Sequence, residues 1–255
     1  MPPVHDDAVC LGQWDWSETS QTVLLLTRTH GALRGIAKGS RRPKSAYSGG
    51  VEIMTRGEAA FIAKQSGLST LTAWDLVETF AAARQTLATF HGAAYALDLC
   101  RRSLSAGDPH PRVFDALVAL LRGLGHDGED PGLALLRFQW TLAIEIGLAP
   151  RLDDPPRPGQ PVWRFDPLAA RFAEAAPREE RWPVRAGTVR LLRAVADAVA
   201  TDQDLAEEGG GQLLEVWDQE ACTRANRFLA AYFGRALETE LPSARFAFGV
   251  GRHNR

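Results

Sequence analysis

Up to about position 75, apolar and polar residues alternate with period two; beyond it they recur every three or four positions. The first regime predicts short strands at 8–14, 22–27 and 32–37, then at 51–56 with 59–64 as the next strand or hairpin, and at 68–74. The segment 32–37 (Ala32-Leu33-Arg34-Gly35-Ile36-Ala37) sets large apolar residues against polar ones, the period of a half-buried strand. Thr29-His30-Gly31 supplies a turn with glycine where a positive φ is wanted. Short strands joined by Gly-bearing turns predict a small closed barrel.

The second regime predicts helices. Leu76, Phe80, Ala83, Leu87, Phe90, Ala94 and Leu97 trace one amphipathic helix or a broken pair. Asp108-Pro109 and Pro111 signal the next start, with Val113, Leu117, Leu120, Leu121 and Leu124 on one face. After the linker Gly125-His126-Asp127-Gly128, Asp130-Pro131 opens a third helix through Leu136, Trp140 and Ile144 that stops at Gly147. Eight prolines between 150 and 185 forbid a continuous helix there, although Val162-Trp163-Arg164-Phe165 suits a short strand. Thr188 is the expected N-cap before Leu191, Leu192, Val195 and Val199. Glu207-Glu208-Gly209-Gly210-Gly211 reads as a solvated turn. A last helix is expected through Leu214, Trp217, Ala221, Ala225, Phe228 and Tyr232 to Gly234, with a loose tail from Pro242. The predicted fold is α+β: a five-stranded OB barrel over 1–77, a helical domain over 78–240 with an irregular Pro-rich insert at about 150–185, and a tail over 241–255.

Charge sharpens this picture. The 255 residues carry a net −2, yet 28–64 holds eight cations against two acids and is about +6. The centre of that segment, Ala37-Lys38-Gly39-Ser40-Arg41-Arg42-Pro43-Lys44-Ser45, has four cations in seven residues and no acid. Such a loop is either a solvated hairpin or a phosphate contact, and composition leaves both open. Apolar content of 45% supports a sizeable core. The N-terminus has no signal-peptide pattern and no run approaches 18 apolar residues, so a soluble, cytoplasmic protein is expected.

Catalytic chemistry is harder to find. Cys10, Cys100 and Cys222 lie far apart, which disfavours disulfides and a cysteine zinc site; three buried thiols are expected. There is no G-x-S-x-G, H-E-x-x-H or Walker loop, and His5, His30, His91, His110, His126 and His253 lack ligand spacing. No catalytic residue, metal or cofactor is expected, and no enzyme mechanism suggests itself.

Two stretches carry a family resemblance. Leu26-Thr27-Arg28-Thr29-His30-Gly31, followed by Ile36-Ala37-Lys38-Gly39-Ser40-Arg41-Arg42-Pro43-Lys44-Ser45, resembles the N-terminal signature of the bacterial RecO family. Leu71-Thr72 with Leu76-Val77-Glu78, Gly147-Leu148-Ala149-Pro150-Arg151-Leu152-Asp153 and Tyr232-Phe233-Gly234-Arg235 resemble its later landmarks. Two departures stand out. The four-cysteine zinc module of many members is missing, leaving Trp163, Phe165 and the prolines to hold the insert. Gln13-Trp14-Asp15-Trp16-Ser17 replaces the family's charged opening segment; its tryptophans suit either base stacking or barrel packing, with packing expected for at least one.

The resemblance implies a DNA repair and recombination mediator. Such a protein binds single- and double-stranded DNA and anneals complementary strands. Acting with RecR and the C-terminal tail of single-stranded-DNA-binding protein, it loads the RecA recombinase at the nucleoid. Arg28, Arg34, Lys38, Arg41, Arg42 and Lys44 become the expected phosphate contacts, with Tyr47 as a weaker stacking residue. Arg101, Arg102, Arg122 and Arg137 flank apolar helical stripes and are the weaker candidates for the tail carboxylate. The rivals are an RNA-binding OB module and an adaptor whose basic loop docks on an acidic protein.

Overall fold

A computed structural model describes residues 2–47, 49–64, 67–125, 130–152, 159–172, 181–201 and 218–249. Five strands, β1 (Val4–Asp15), β2 (Gln21–Thr27), β3 (Gly31–Ala37), β4 (Arg56–Ile62) and β5 (Ser69–Glu78), close into a barrel in the order β1-β2-β3-β5-β4. Only β3 and β5 run parallel, from Gly35↔Ser69 to Ala37↔Leu71; every other pairing is antiparallel. This is the OB-type barrel the strand pattern predicted. Its core is built from inward residues of all five strands, including Ala8, Val23, Leu25, Leu33, Phe61, Leu71 and Trp74.

Two features of β1 matter later. The strand is long enough to pair with β4 through its first half and with β2 through its second. Its register slips between Cys10 and Gly12, leaving Leu11 as a bulge. Cys10 lies opposite the inward Leu25, whereas beyond the bulge Gln13 lies opposite the inward Val23. The bulge therefore exchanges the two faces of the strand, and Trp14, opposite Thr22, turns outward.

Sequence expectations change at the 51–55 segment and at the end of β5. Segment 51–55 is a turn, not a strand. Met54 has φ 60°, Thr55 Oγ1 donates to Glu52 O at 2.6 Å, and Val51 and Met54 enter the core from the loop. Arg84 fixes that turn by donating to the carbonyls of Ile53 (2.6 Å) and Met54 (3.1 Å). Leu76 does not open a helix: β5 continues to Glu78, where Gly57 opposite Leu76 leaves room for the Trp74 indole. A short 3-10 turn (Ala81–Arg84) follows. Helix α1 (Leu87–Ser103) begins only after the capping box of Thr86 and Thr89 and buries Tyr95, Leu97, Leu99 and Cys100, while Leu87 and Phe90 stay exposed. Helix α2 (Pro111–Gly123) starts on its proline and buries the expected stripe.

The chain packs as two compact units, Met1–His126 and Asp127–Arg255. The secondary structure changes from strand to helix near the expected 77/78 position, but α1 and α2 belong to the barrel's unit. Arg28 grips Asp115 of α2 through two hydrogen bonds of 2.9 and 2.8 Å. Arg122 of α2 grips Glu78 of β5 at 2.8–3.0 Å.

In the second unit, Asp130 caps α3 (Pro131–Glu145) by accepting from Leu133 N. The Pro-rich insert contains a three-stranded sheet ordered β7-β6-β8, made of β6 (Val162–Asp166), β7 (Arg171–Phe172) and β8 (Trp182–Arg185). Among the described residues the unit also holds helices α4 (Ala186–Ala200), α5 (Gln219–Ala236) and α6 (Pro242–Phe248). Thr188 is not the N-cap of α4, because β8 runs directly into the helix at Arg185; its buried hydroxyl accepts from Arg224 Nε instead. The tail expected to be loose from Pro242 forms α6, started by that proline. Leu214, Trp217, Glu207-Glu208 and His126 fall outside the described residues. Inside the unit, Gln139 and Asn226 are buried; Gln139 Nε2 donates to Asn226 Oδ1 at 2.7 Å, and Asn226 Nδ2 donates to Gly132 O.

The three thiols are buried. Burial pushes those of Cys10 and Cys222 up to about 12 and that of Cys100 higher still, so all three stay protonated and unreactive. Among the described residues, no group of three or more His, Cys, Asp or Glu side chains is placed to hold a metal ion, and no helix is long and apolar enough to cross a membrane.

Candidate nucleic-acid interface

The basic loop is anchored at its middle. Ser40 is fully buried, and its hydroxyl donates to Gln21 Oε1 at 2.9 Å. The same oxygen accepts from Val51 N, while Gln21 Nε2 bonds Gln13 Oε1. Ser45 Oγ donates back to Ser40 O. With Ser40 fixed, the flanking side chains stay outside. Arg41 forms an ion pair with Asp15, while Arg42 and Lys44 remain exposed.

A second set of bonds ties this loop to the β1–β2 turn. Gly39 N donates to Ser20 Oγ (3.1 Å) and Arg41 N to Thr19 O (3.1 Å), while Trp16 N to Ser20 O (2.9 Å) closes the turn itself. Between turn and loop lies an open concavity of about 350 Å³ lined by Trp16, Ser17, Ser20, Ile36, Lys38, Gly39 and Arg42. Its lining holds two cations and no acid. Gly39 has φ 67°, a conformation that favours glycine, and the stem of Arg42 folds across it, so that a Cβ there would sit 3.4 Å from Arg42 Cδ and Nε.

The tryptophans depart from expectation, since neither packs in the core: Trp14 is 43% exposed and Trp16 61%. The six-membered ring of Trp14 lies back over Gly12, where a Cβ would come within 2.9 Å of it, and the Arg101 guanidinium stands over the ring at 5.3 Å. Trp16 walls the concavity instead.

The expected site residues therefore separate into groups. Arg34 is exposed on the outer face of β3, and with Lys38, Arg42 and Lys44 it makes no ion pair among the described residues. Arg28 and Arg41 are engaged by Asp115 and Asp15. Tyr47 is not available for stacking: it is buried in the barrel core and donates its hydroxyl to Leu71 O. Its place in the basic loop suggested exposure, but the loop turns inward at that ring. Arg101 covers Trp14, Arg102 pairs with Asp98 at 3.1 Å, and Arg122 grips Glu78. Arg137 is half-buried on α3 in the second unit. Sequence reasoning weighed Trp16 for stacking but missed Ser17 and Ser20, and only the cross-loop bonds place this turn beside Lys38 and Arg42.

Two family models cover nearly the whole chain. Residues 1–80 match Recombination protein O N terminal, and residues 84–245 match Recombination protein O C terminal. The chain belongs to the RecO family. The DNA repair protein RecO of Anaeromyxobacter sp. (strain K) is 33% identical over 252 residues, covering 93% of this chain and 94% of that protein. The RecO of Myxococcus xanthus is 34% identical over 154 residues, or 60% of this chain and 62% of its own length. For the RecO of Geobacter sulfurreducens the match is 34% over 131 residues, 51% of this chain and 54% of its own length. These last two alignments thus span less than two thirds of the relatives they match. Both walls of the concavity fall inside the region matched by the RecO N-terminal model.

Proposed function

We propose that this RecO family protein is a recombination mediator in DNA repair that holds DNA on the outer face of its barrel. In this reading it anneals complementary strands. Together with RecR and the tail of single-stranded-DNA-binding protein, it also loads RecA. The observation that carries the reading is that Arg34 on β3 and Lys38, Arg42 and Lys44 on the basic loop are exposed and without ion pairs among the described residues, with Lys38 and Arg42 sharing a concavity with exposed Trp16. Cations track phosphates without reading bases, and aromatic faces stack on any base, so binding is tolerant of sequence. Annealing asks only for neutralised backbones and strand proximity, so no bond-making group is needed. Arg28 and Arg41 are secondary contacts that must first exchange their carboxylate partners. Among the tail candidates, Arg101, Arg102 and Arg122 carry the same constraint of an existing partner.

The test is a mobility and annealing assay at low salt. The protein should bind labelled single- and double-stranded oligonucleotides and bring complementary strands together faster than they pair alone. Binding of neither DNA would leave the barrel as a protein-docking module and end this reading.

A further inference from the structure

We infer that the concavity between the β1–β2 turn and the basic loop is a subsite for one unpaired nucleotide. Its base stacks on Trp16, and its phosphate is held by Lys38 and Arg42. The inference rests on the DNA-binding reading above and deepens it, because it gives single strands one contact on the barrel that a duplex cannot make.

Three observations point to this ligand. The concavity of about 350 Å³ lies at the small end of the range for ligand sites, the scale of a single nucleotide and not of a duplex segment. Its walls combine one large exposed aromatic ring with two cations, the pairing that single-stranded nucleic acid uses. A base already stacked in a duplex cannot offer its face to Trp16 without leaving the helix. The walls are also fixed in advance. Gly39 N to Ser20 Oγ and Arg41 N to Thr19 O lock turn and loop together, Trp16 N to Ser20 O closes the turn itself, and buried Ser40 holds the loop to Gln21. Ordering costs are thus met before the ligand arrives.

The division of labour between neighbouring arginines fits this role. Arg41 is drawn to Asp15, whereas Arg42 lies across the bare Cα of Gly39 and into the concavity. Ser17 and Ser20 add hydroxyls on the turn side. Glu18, on the same turn, is exposed but is not part of the lining. The two tryptophans then have different tasks. Trp14 is braced over Gly12 with Arg101 above it, and Trp16 is the ring left to take a base.

The experiment compares three labelled probes: a short single strand, the same strand with abasic sites at every position, and a blunt duplex. The proteins compared are the wild type, Trp16→Ala, Trp16→Phe and Lys38→Ala/Arg42→Ala. Trp16→Ala should lose about tenfold in affinity for the single strand, the scale of one lost base stack, and under about twofold for the duplex and the abasic strand. Trp16→Phe should restore most of the loss. Lys38→Ala/Arg42→Ala should weaken all three probes, since all three carry phosphates. Equal losses on all probes in Trp16→Ala, or no loss on the single strand, would overturn the subsite while leaving DNA binding by the barrel intact. Absence of wild-type binding to every probe would instead remove the underlying reading. Because Trp16 is exposed in a turn, its variants should melt as the wild type does, which circular dichroism checks.

Discussion

Replacing Phe165 by Ala should destabilise the second unit by about 3–5 kcal/mol, the usual cost of removing a fully buried aromatic side chain. Phe165 is completely buried at the centre of an aromatic cluster, its ring 4.9 Å from Phe228, 5.1 Å from Phe172, 5.3 Å from Tyr232 and 6.1 Å from Trp182. Edge-to-face contacts with Phe228 and Tyr232 join the small sheet to α5, and these add to the area term. The truncated side chain leaves a cavity bordered by the rings of Phe172, Trp182, Phe228 and Tyr232. Because the chain has two compact units, the readout is the calorimetric transition of the second one and not a single two-state fit. That transition should fall by about 10 °C or more. A shift of under a degree or so would mean that the sheet is held by something other than this cluster. The same observation gives physical content to the expectation that Trp163 and Phe165 hold the Pro-rich insert together. Their inward faces share that cluster through Phe172.

The second large effect belongs to Asp6. Its side chain is almost wholly buried at the β2–β3 turn. Its Oδ2 accepts from Thr29 N (2.9 Å), Thr29 Oγ1 (2.9 Å) and His30 Nδ1 (2.7 Å). Burial alone would raise the carboxyl's pKa, but the hydrogen bonds from His30 and Thr29 together outweigh it and hold the group below its ordinary value. Asp6→Ala leaves three donors without their acceptor and should cost about 2–3 kcal/mol at neutral pH. The sign of the pH dependence follows from the lowered value. The carboxylate's contribution is complete above the unfolded value near ~4 and is lost as pH falls through the lower folded value. Urea titrations of wild type and Asp6→Ala should therefore differ most at pH 5–7 and converge in strong acid. A gap that widened on acidification would contradict the assignment. His30 also sets its ring edge-on to Phe61 at 5.5 Å, so the turn is packed as well as bonded.

Much of the barrel was legible because alternation over half-buried strands leaves a period-two trace, and β2 and β3 were placed to within a residue. The errors have local causes. Val51 and Met54 are as apolar as strand residues but reach the core from a turn, and nothing in composition tells these cases apart. Leu76 looked like the first turn of a helix; it lies in the exposed end of β5, opposite Gly57 of β4, and Val77 falls in a register shift before Glu78 pairs with Arg56. The tryptophans were the most instructive case. Unbroken alternation from Ala8 and Cys10 would carry Trp14 inward, and a one-residue bulge at Leu11 sends it outward. A bulge is a backbone event that leaves no reliable mark in residue type. Charge named the basic loop, but it could not show which cations have partners. Arg28 and Arg41 find carboxylates in Asp115 and Asp15, far from them in sequence. Tyr47 shows the converse, a loop aromatic whose ring the barrel needs.

The measurement that bears most directly on the central claim is the salt dependence of single-strand binding. It compares wild type, an Arg34→Ala/Lys38→Ala/Arg42→Ala/Lys44→Ala variant, and a charge-matched control. The control is Arg164→Ala/Arg171→Ala/Arg185→Ala/Arg190→Ala, which removes four exposed arginines from the second sheet and α4 instead. Each phosphate contact on a single strand contributes about 0.7 to the slope of log affinity against log salt. The four-residue variant should therefore show a slope shallower by about 2–3 and an affinity at low salt reduced on the order of 100-fold. The control should keep a slope within about one of wild type. Loss of slope in the control but not in the barrel variant, or no salt-dependent binding by wild type, would contradict the account.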